Sequence, residues 1–235
     1  MTYKSRGFTL IEIAIVLVII GLLLGGVLKG QELITGARVR NLISQQDGIK
    51  AAFFGFQDRY RALPGDYAAA STNINFGAGV SGADGNGNGR IESDATSAVV
   101  HEEILAWQHL TAAGFLNGSY TYTSGVTDPD DGNTPKNPYS VYVQLVYDGV
   151  YGTGTVAVPG PKKHNLKTGG QVPVEIIAEV DRKIDDGKPT TGGFQFSEYR
   201  PPNGVAPVAS GTDGCGTATW NVSGGGTNCG GASLF

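Results

Sequence analysis

From Phe8 to Leu28 the chain is an almost unbroken apolar run in which Glu12 is the only charged residue. As a helix the run would be about 30 Å long, enough to cross the hydrocarbon core of a bilayer. Beyond Lys29 the apolar positions thin to Val39, Leu42, Ile49, Phe53, Phe56, Tyr60 and Leu63, with Gln46 as the one interruption. Steps of three and four trace one face of an α-helix, and Pro64-Gly65 would end it. The spacing predicts one helix from Phe8 to about Leu63, roughly 80 Å long, oily all round in its first half and amphipathic in its second. Propensity alone does not hold such a helix. Its second half needs a domain to lie on, and its first half needs lipid or copies of itself.

Downstream, Val100, Ile104, Trp107 and Leu110 or Thr111 share a helical face, so a second helix is expected from about Thr96 to Ala113, with Gly114 as its stop. Alternation then predicts strands at 119–123 and within 139–152, where Val141, Val143, Leu145 and Tyr147 fall on one face. Residues 155–158 are the expected hairpin partner, and 192–199 a further strand. Residues 173–186 carry two patterns. Val172, Val174, Ile176, Ala178 and Val180 alternate, whereas Ile176, Val180 and Ile184 step by four between Pro173 and Gly187. Proline suits a first helical turn and glycine a stop, which favours helix. The fold class is therefore α+β.

At 235 residues the chain suits one domain with an appendage, or two small domains. Its 37 glycines concentrate after position 75 and predict a loop-rich second half. A net charge of −4 gives no electrostatic footprint for nucleic acid. Lys4 and Arg6 precede the apolar run, so the positive-inside rule keeps the N-terminus in the cytoplasm and sends the remainder outward. No A-x-A-like site follows the run, so the membrane segment is expected to be retained. The two cysteines, Cys215 and Cys229, read as a disulfide in an exported chain and as two unrelated thiols in a cytosolic one.

Glu12 is the anomaly. A carboxylate within a membrane segment costs about 3 kcal/mol and signals function through a partner. The segment offers no basic side chain. Cleavage between Gly7 and Phe8 would create an α-amino group one helical turn before Glu12. The amine of one copy could then neutralise the carboxylate of its neighbour in a packed bundle. The competing reading is a signal anchor with a tolerated charge near its cytoplasmic end.

The stretch "RGFTLIEIAIVLVIIGLLL" resembles the signal of type IV pilins and type II secretion pseudopilins: a short basic leader ending in glycine, then Phe, then Thr-Leu-Ile-Glu, then an apolar stretch. The resemblance covers about residues 1 to 30. It implies prepilin peptidase cleavage after Gly7, N-methylation of Phe8, and Glu12 as the assembly glutamate. It implies three segments: a leader at 1–7, a long helix at 8–63 with 8–28 in the membrane, and a periplasmic or extracellular head at 64–235. The implied fold is pilin-like, with the helix packed on an antiparallel sheet and a C-terminal disulfide loop. Implied partners are copies of itself and other pilins, the peptidase, an inner-membrane assembly platform, and the membrane before assembly. The implied location is the bacterial inner membrane, single-pass, and then a pilus or pseudopilus. Many such helices carry a mid-helix proline; here none precedes Pro64, so any local melting falls to Gly21, Gly25 and Gly26.

In the head, Asp84, Asn86, Asn88, Gly89 and Ile91 fall at positions 1, 3, 5, 6 and 8 of an EF-hand-type loop. The candidate calcium set is Asp84, Asn86, Asn88, Arg90 and Glu92. Position 12, where a bidentate Glu belongs, is Ala95, so Asp94 or a remote Asp185 or Asp186 would have to complete the shell. The alternative is a Gly/Asn-rich surface turn without metal. There is no G-x-S-x-G, H-E-x-x-H or P-loop, and solitary His109 beside Trp107 reads as packing or a surface group. The expected function is a non-enzymatic structural subunit of a type IV pilus-like filament. A secretion pseudopilin is the near alternative, and a membrane-anchored periplasmic enzyme the distant one.

Overall fold

The computed structural model describes residues 9–92, 101–202 and 204–235. The chain divides into two compact units, residues 1–38 and 39–235. Helix α1 runs Leu10–Tyr60 without a break through Gly21, Gly25 and Gly26, close to the predicted span.

In the second unit α1 buries Val39, Leu42, Gln46, Ile49, Ala52, Phe53 and Phe56, the face that the three-and-four spacing marks. Gln46 keeps its place in that stripe and is fully buried. A short helix α2, Ala70–Asn73, is followed by α3, Glu102–Ala112. His101 sits at the N-cap of α3 in an extended conformation, and the earlier residues expected to be helical (96–100) lie outside the described ones.

The sheet has four antiparallel strands in the order β1-β2-β4-β3. Strand β1 is Gln144–Asp148, β2 is Lys163–Lys167, β3 is Phe194–Phe196 and β4 is Gly231–Leu234. Helix α4, Val174–Ile184, lies between β2 and β3 in sequence. The helical pattern won at 173–186: Ile176, Ile177 and Val180 are buried while Arg182 and Lys183 face out.

Two strand expectations fail. Residues 119–123 are irregular, and the Thr121 amide reaches the Gly132 carbonyl rather than a strand. The partner of β1 is not 155–158, where Val156 and Val158 are exposed in a loop closed by the Gly160 amide on the Gly149 carbonyl. The true partner, "KHNLK", is polar and so escaped the alternation test. It is tolerated inside the sheet because Asp148 of β1 accepts hydrogen bonds from buried Lys167 Nζ and, at 2.9 Å, from Asn165 Nδ2. Strand β4, at the very C-terminus, joins β2 to β3 and also went unpredicted.

Among the described residues three apolar clusters fill the unit, the smallest of them Ile104, Leu105 and Tyr122. In one, Val39 and Leu42 of α1 meet Val174, Ile177 and Val180 of α4, Phe194 and Phe196 of β3, and Cys215, Trp220 and Cys229. In another, Ile49, Phe53 and Phe56 meet Trp107 and Leu110 of α3, Leu145 of β1 and Leu166 of β2. Cys215 and Cys229 are joined, closing the C-terminal loop. Long helix, antiparallel sheet and terminal disulfide loop together make the pilin-like α+β fold.

Candidate functional site

The described part of the first unit exposes mostly apolar side chains. Large hydrophobic residues are exposed from Leu10 to Ile34, and the stretch is long and apolar enough to cross a membrane. Lys29 and Glu32 interrupt it but pair with each other one turn apart, at 2.7 Å. Gly21, Gly25, Gly26 and Gly30 have nothing within 4 Å of where a Cβ would sit. In water this surface would be strongly unfavourable, so it requires an apolar environment.

Glu12 sits in the first turn of α1, where its partner is Thr9. The Thr9 amide donates to Glu12 Oε2 at 2.8 Å, Thr9 Oγ1 donates to the same oxygen at 2.7 Å, and the Glu12 amide donates to Thr9 Oγ1 at 3.3 Å. This reciprocal arrangement is a capping box, and it satisfies two of the helix's four unpaired N-terminal donors. "TLIE" is the T-x-x-E pattern that announces it in the sequence. The carboxylate also lies where the helix dipole is positive. Gly7 and Phe8, the expected cleavage and methylation positions, lie outside the described residues.

The 84–92 loop closes around two buried acids that the motif does not contain. Asp66 Oδ1 and Oδ2 accept from the amides of Asn88 and Gly89, at 2.9 and 2.8 Å. Glu102 Oε1 and Oε2 accept from the amides of Asn86 and Glu92, at 3.0 and 3.1 Å. Burial pushes the Glu102 carboxyl up to about 7 against these amides, with Asp66 and Glu92 adding repulsion. Burial likewise raises Asp66.

The motif's own oxygens are engaged within the protein. Both Asp84 oxygens accept from Ser71, Asn86 Oδ1 accepts from the Asn88 amide, Asn88 Oδ1 from the Arg90 amide, and Glu92 Oε2 from Asn88 Nδ2. Gly89 has φ +82°, the turn its place in the motif called for. Asp94 and Ala95 lie outside the described residues. Asp185 and Asp186 do not complete this loop; they converge with Asp181 at the end of α4.

His109 is a core residue. Its ring is fully buried and stacks on Phe56; Nδ1 accepts from the Gly65 amide at 3.0 Å, and Nε2 lies 2.9 Å from the Ala83 carbonyl. Those contacts select the neutral ring protonated at Nε2, and burial lowers its pKa to about 4. A buried histidine that holds two loops together reads as structure rather than catalysis.

No curated protein and no solved structure matches the chain. One family does: the prokaryotic N-terminal methylation motif matches residues 2–28. Residues 2–28 thus carry the prepilin-type signal of type IV pilins and pseudopilins, and from Leu10 onward they lie in α1, where their large apolar side chains are exposed.

Proposed function

We propose that the chain is a structural subunit of a type IV pilus-like filament. The observation that carries this reading is the exposed apolar stretch of α1, Leu10 to Ile34, with one carboxylate at its start. Before assembly residues 8–28 span the inner membrane, with the head in the periplasm. Prepilin peptidase cuts between Gly7 and Phe8, and the freed amine of one subunit neutralises Glu12 of the next. Polymerisation then replaces lipid around the apolar surface with neighbouring helices, and the buried charge is paired as it leaves the membrane. Loss of Lys4 and Arg6 would take the mature chain to a net charge of about −6, which supports no direct capture of nucleic acid.

Intact mass of the exported protein tests the first step. Loss of residues 1–7 with a methylated Phe8 is expected, and a retained leader overturns the proposal. Sheared surface filaments containing the protein would separate a pilus subunit from a secretion pseudopilin, whose filament stays within the envelope. A soluble enzymatic activity indifferent to Glu12 would replace both readings.

A further inference from the structure

Helix α4 ends in an arrangement that is unfavourable as it stands. Asp181, in its last turn, is followed by Asp185 at the C-cap and Asp186 just beyond. The C-terminal end of a helix carries partial negative charge, so acids there are destabilising unless something neutralises them. Each of the three contributes a carboxylate oxygen, and these oxygens lie within 4.8 Å of one another. Asp181 is fully buried, Asp185 half-buried and Asp186 exposed, so the cluster opens to solvent on one side.

The Asp181 carboxylate is the second observation. Its Oδ2 accepts from Trp220 Nε1 at 2.6 Å, while its Oδ1 is buried with no hydrogen-bond partner. The Gly187 amide lies close enough to favour the charged carboxylate, but Oδ1 itself has no hydrogen-bond partner. A buried carboxylate oxygen left unpaired costs more than a neutral one, so it calls for a ligand. The other two acids are held in place. Asp185 Oδ2 accepts from the Phe194 amide at 2.8 Å, and Asp186 accepts from the Lys188 amide and Thr191 Oγ1. Gly192, at φ +80°, passes so close that a Cβ there would lie 2.0 Å from Asp185 Oδ2. Among the described residues, Lys50 of α1 lies near Asp185 and Lys188 near Asp186, while Arg182 and Lys183 of the same last turn pair with Glu179; these cations offset only part of the cluster's charge.

We propose that Asp181, Asp185 and Asp186 form a binding site for a calcium-sized divalent cation. All the donors are hard oxygens, which exclude soft metals. Calcium tolerates the flexible shell that one buried and two loop carboxylates with water can offer, whereas magnesium demands near-ideal octahedral geometry and keeps most of its water, so the set suits the larger ion. The unpaired Asp181 oxygen anchors the ion from within, and Asp186 and water close it from outside. The ion would tie the end of α4 to the loop leading into β3 and, through Trp220, to the disulfide loop.

The test uses the full-length protein in detergent, stripped with chelator, with terbium as a calcium-sized probe. Trp220 touches a ligand, so its indole should sensitise terbium emission that excess calcium displaces and equimolar magnesium does not. Millimolar calcium should raise the melting temperature by about 5 °C. Both effects should vanish in Asp186→Asn and in Asp185→Asn/Asp186→Asn, and persist in Asp84→Asn. Trp220→Phe should abolish the emission. Effects lost only in Asp84→Asn would move the ion to the 84–92 loop and overturn the proposal, as would the absence of any calcium response in the wild type.

Discussion

Glu12 caps its helix and, in the proposed function, also pairs with a neighbour's amine; replacing it with glutamine tells the two roles apart. In the capping box it accepts from the Thr9 amide while Thr9 Oγ1 accepts from its own. Glutamine supports the same box, so Glu12→Gln should leave the helix start intact, whereas Glu12→Ala removes the box at a cost of about 1 kcal/mol. The charge is a larger quantity. An unpaired carboxylate in an apolar bundle costs about 3 kcal/mol, and pairing with a neighbour's amine recovers it. Three kcal/mol per contact is about a hundredfold in an association constant. If the charge drives assembly, Glu12→Gln and Glu12→Ala should both be processed normally and both should yield almost no filaments. The assay is sheared-filament yield normalised to the membrane pool, in cells lacking the native copy, with intact mass to confirm cleavage. Wild-type filament levels in Glu12→Gln, with a deficit confined to Glu12→Ala, would refute the amine-carboxylate argument and leave Glu12 as a helix cap.

Three further outcomes are expected. The His109 pKa lies near 4 in the folded state and at 6.5 unfolded, so its contribution is fully present above pH 6.5 and is lost as pH falls through 4. The loss approaches about 3 kcal/mol. Glu102, held up at about 7 by burial, works in the opposite direction, adding relative stability as pH falls from 7 toward 4.5. Urea melts of wild type and His109→Gln between pH 4 and 7.5 therefore isolate the histidine in their difference; parallel curves would contradict its assignment as buried and neutral. Gln46 is fully buried with neither amide atom hydrogen-bonded, so Gln46→Leu should raise stability by about 1–2 kcal/mol in the same melts. A loss would mean that a buried partner such as water satisfies the amide. Replacing Cys215 and Cys229 by serine opens a loop of about 15 residues and should cost about 3 kcal/mol, with a shift in Trp220 fluorescence because that ring lies within the loop. Unchanged stability would show that packing around Trp220 holds the loop by itself.

Sequence alone determined what local periodicity can encode. The apolar run, the face from Val39 to Phe56 and the helix at 174–184 each follow from side-chain spacing along one element, and the structure keeps them. So does the placement of Glu12 in an apolar segment, together with the prepilin-type signal around it. What tertiary structure decided is every feature whose stability comes from a partner distant in the chain. "KHNLK" is a strand because Asp148 neutralises Lys167 and binds Asn165 from the neighbouring strand, which no alternation rule registers. "GASL" is a strand because β2 and β3 stand ready on either side of it. The 84–92 loop looks like a metal loop in isolation, yet its amides turn toward Asp66 and Glu102, which flank it in sequence at a distance. Asp181, Asp185 and Asp186 lie close in sequence, but only the fold buries the first, leaves one oxygen without a partner, and brings the other two against it.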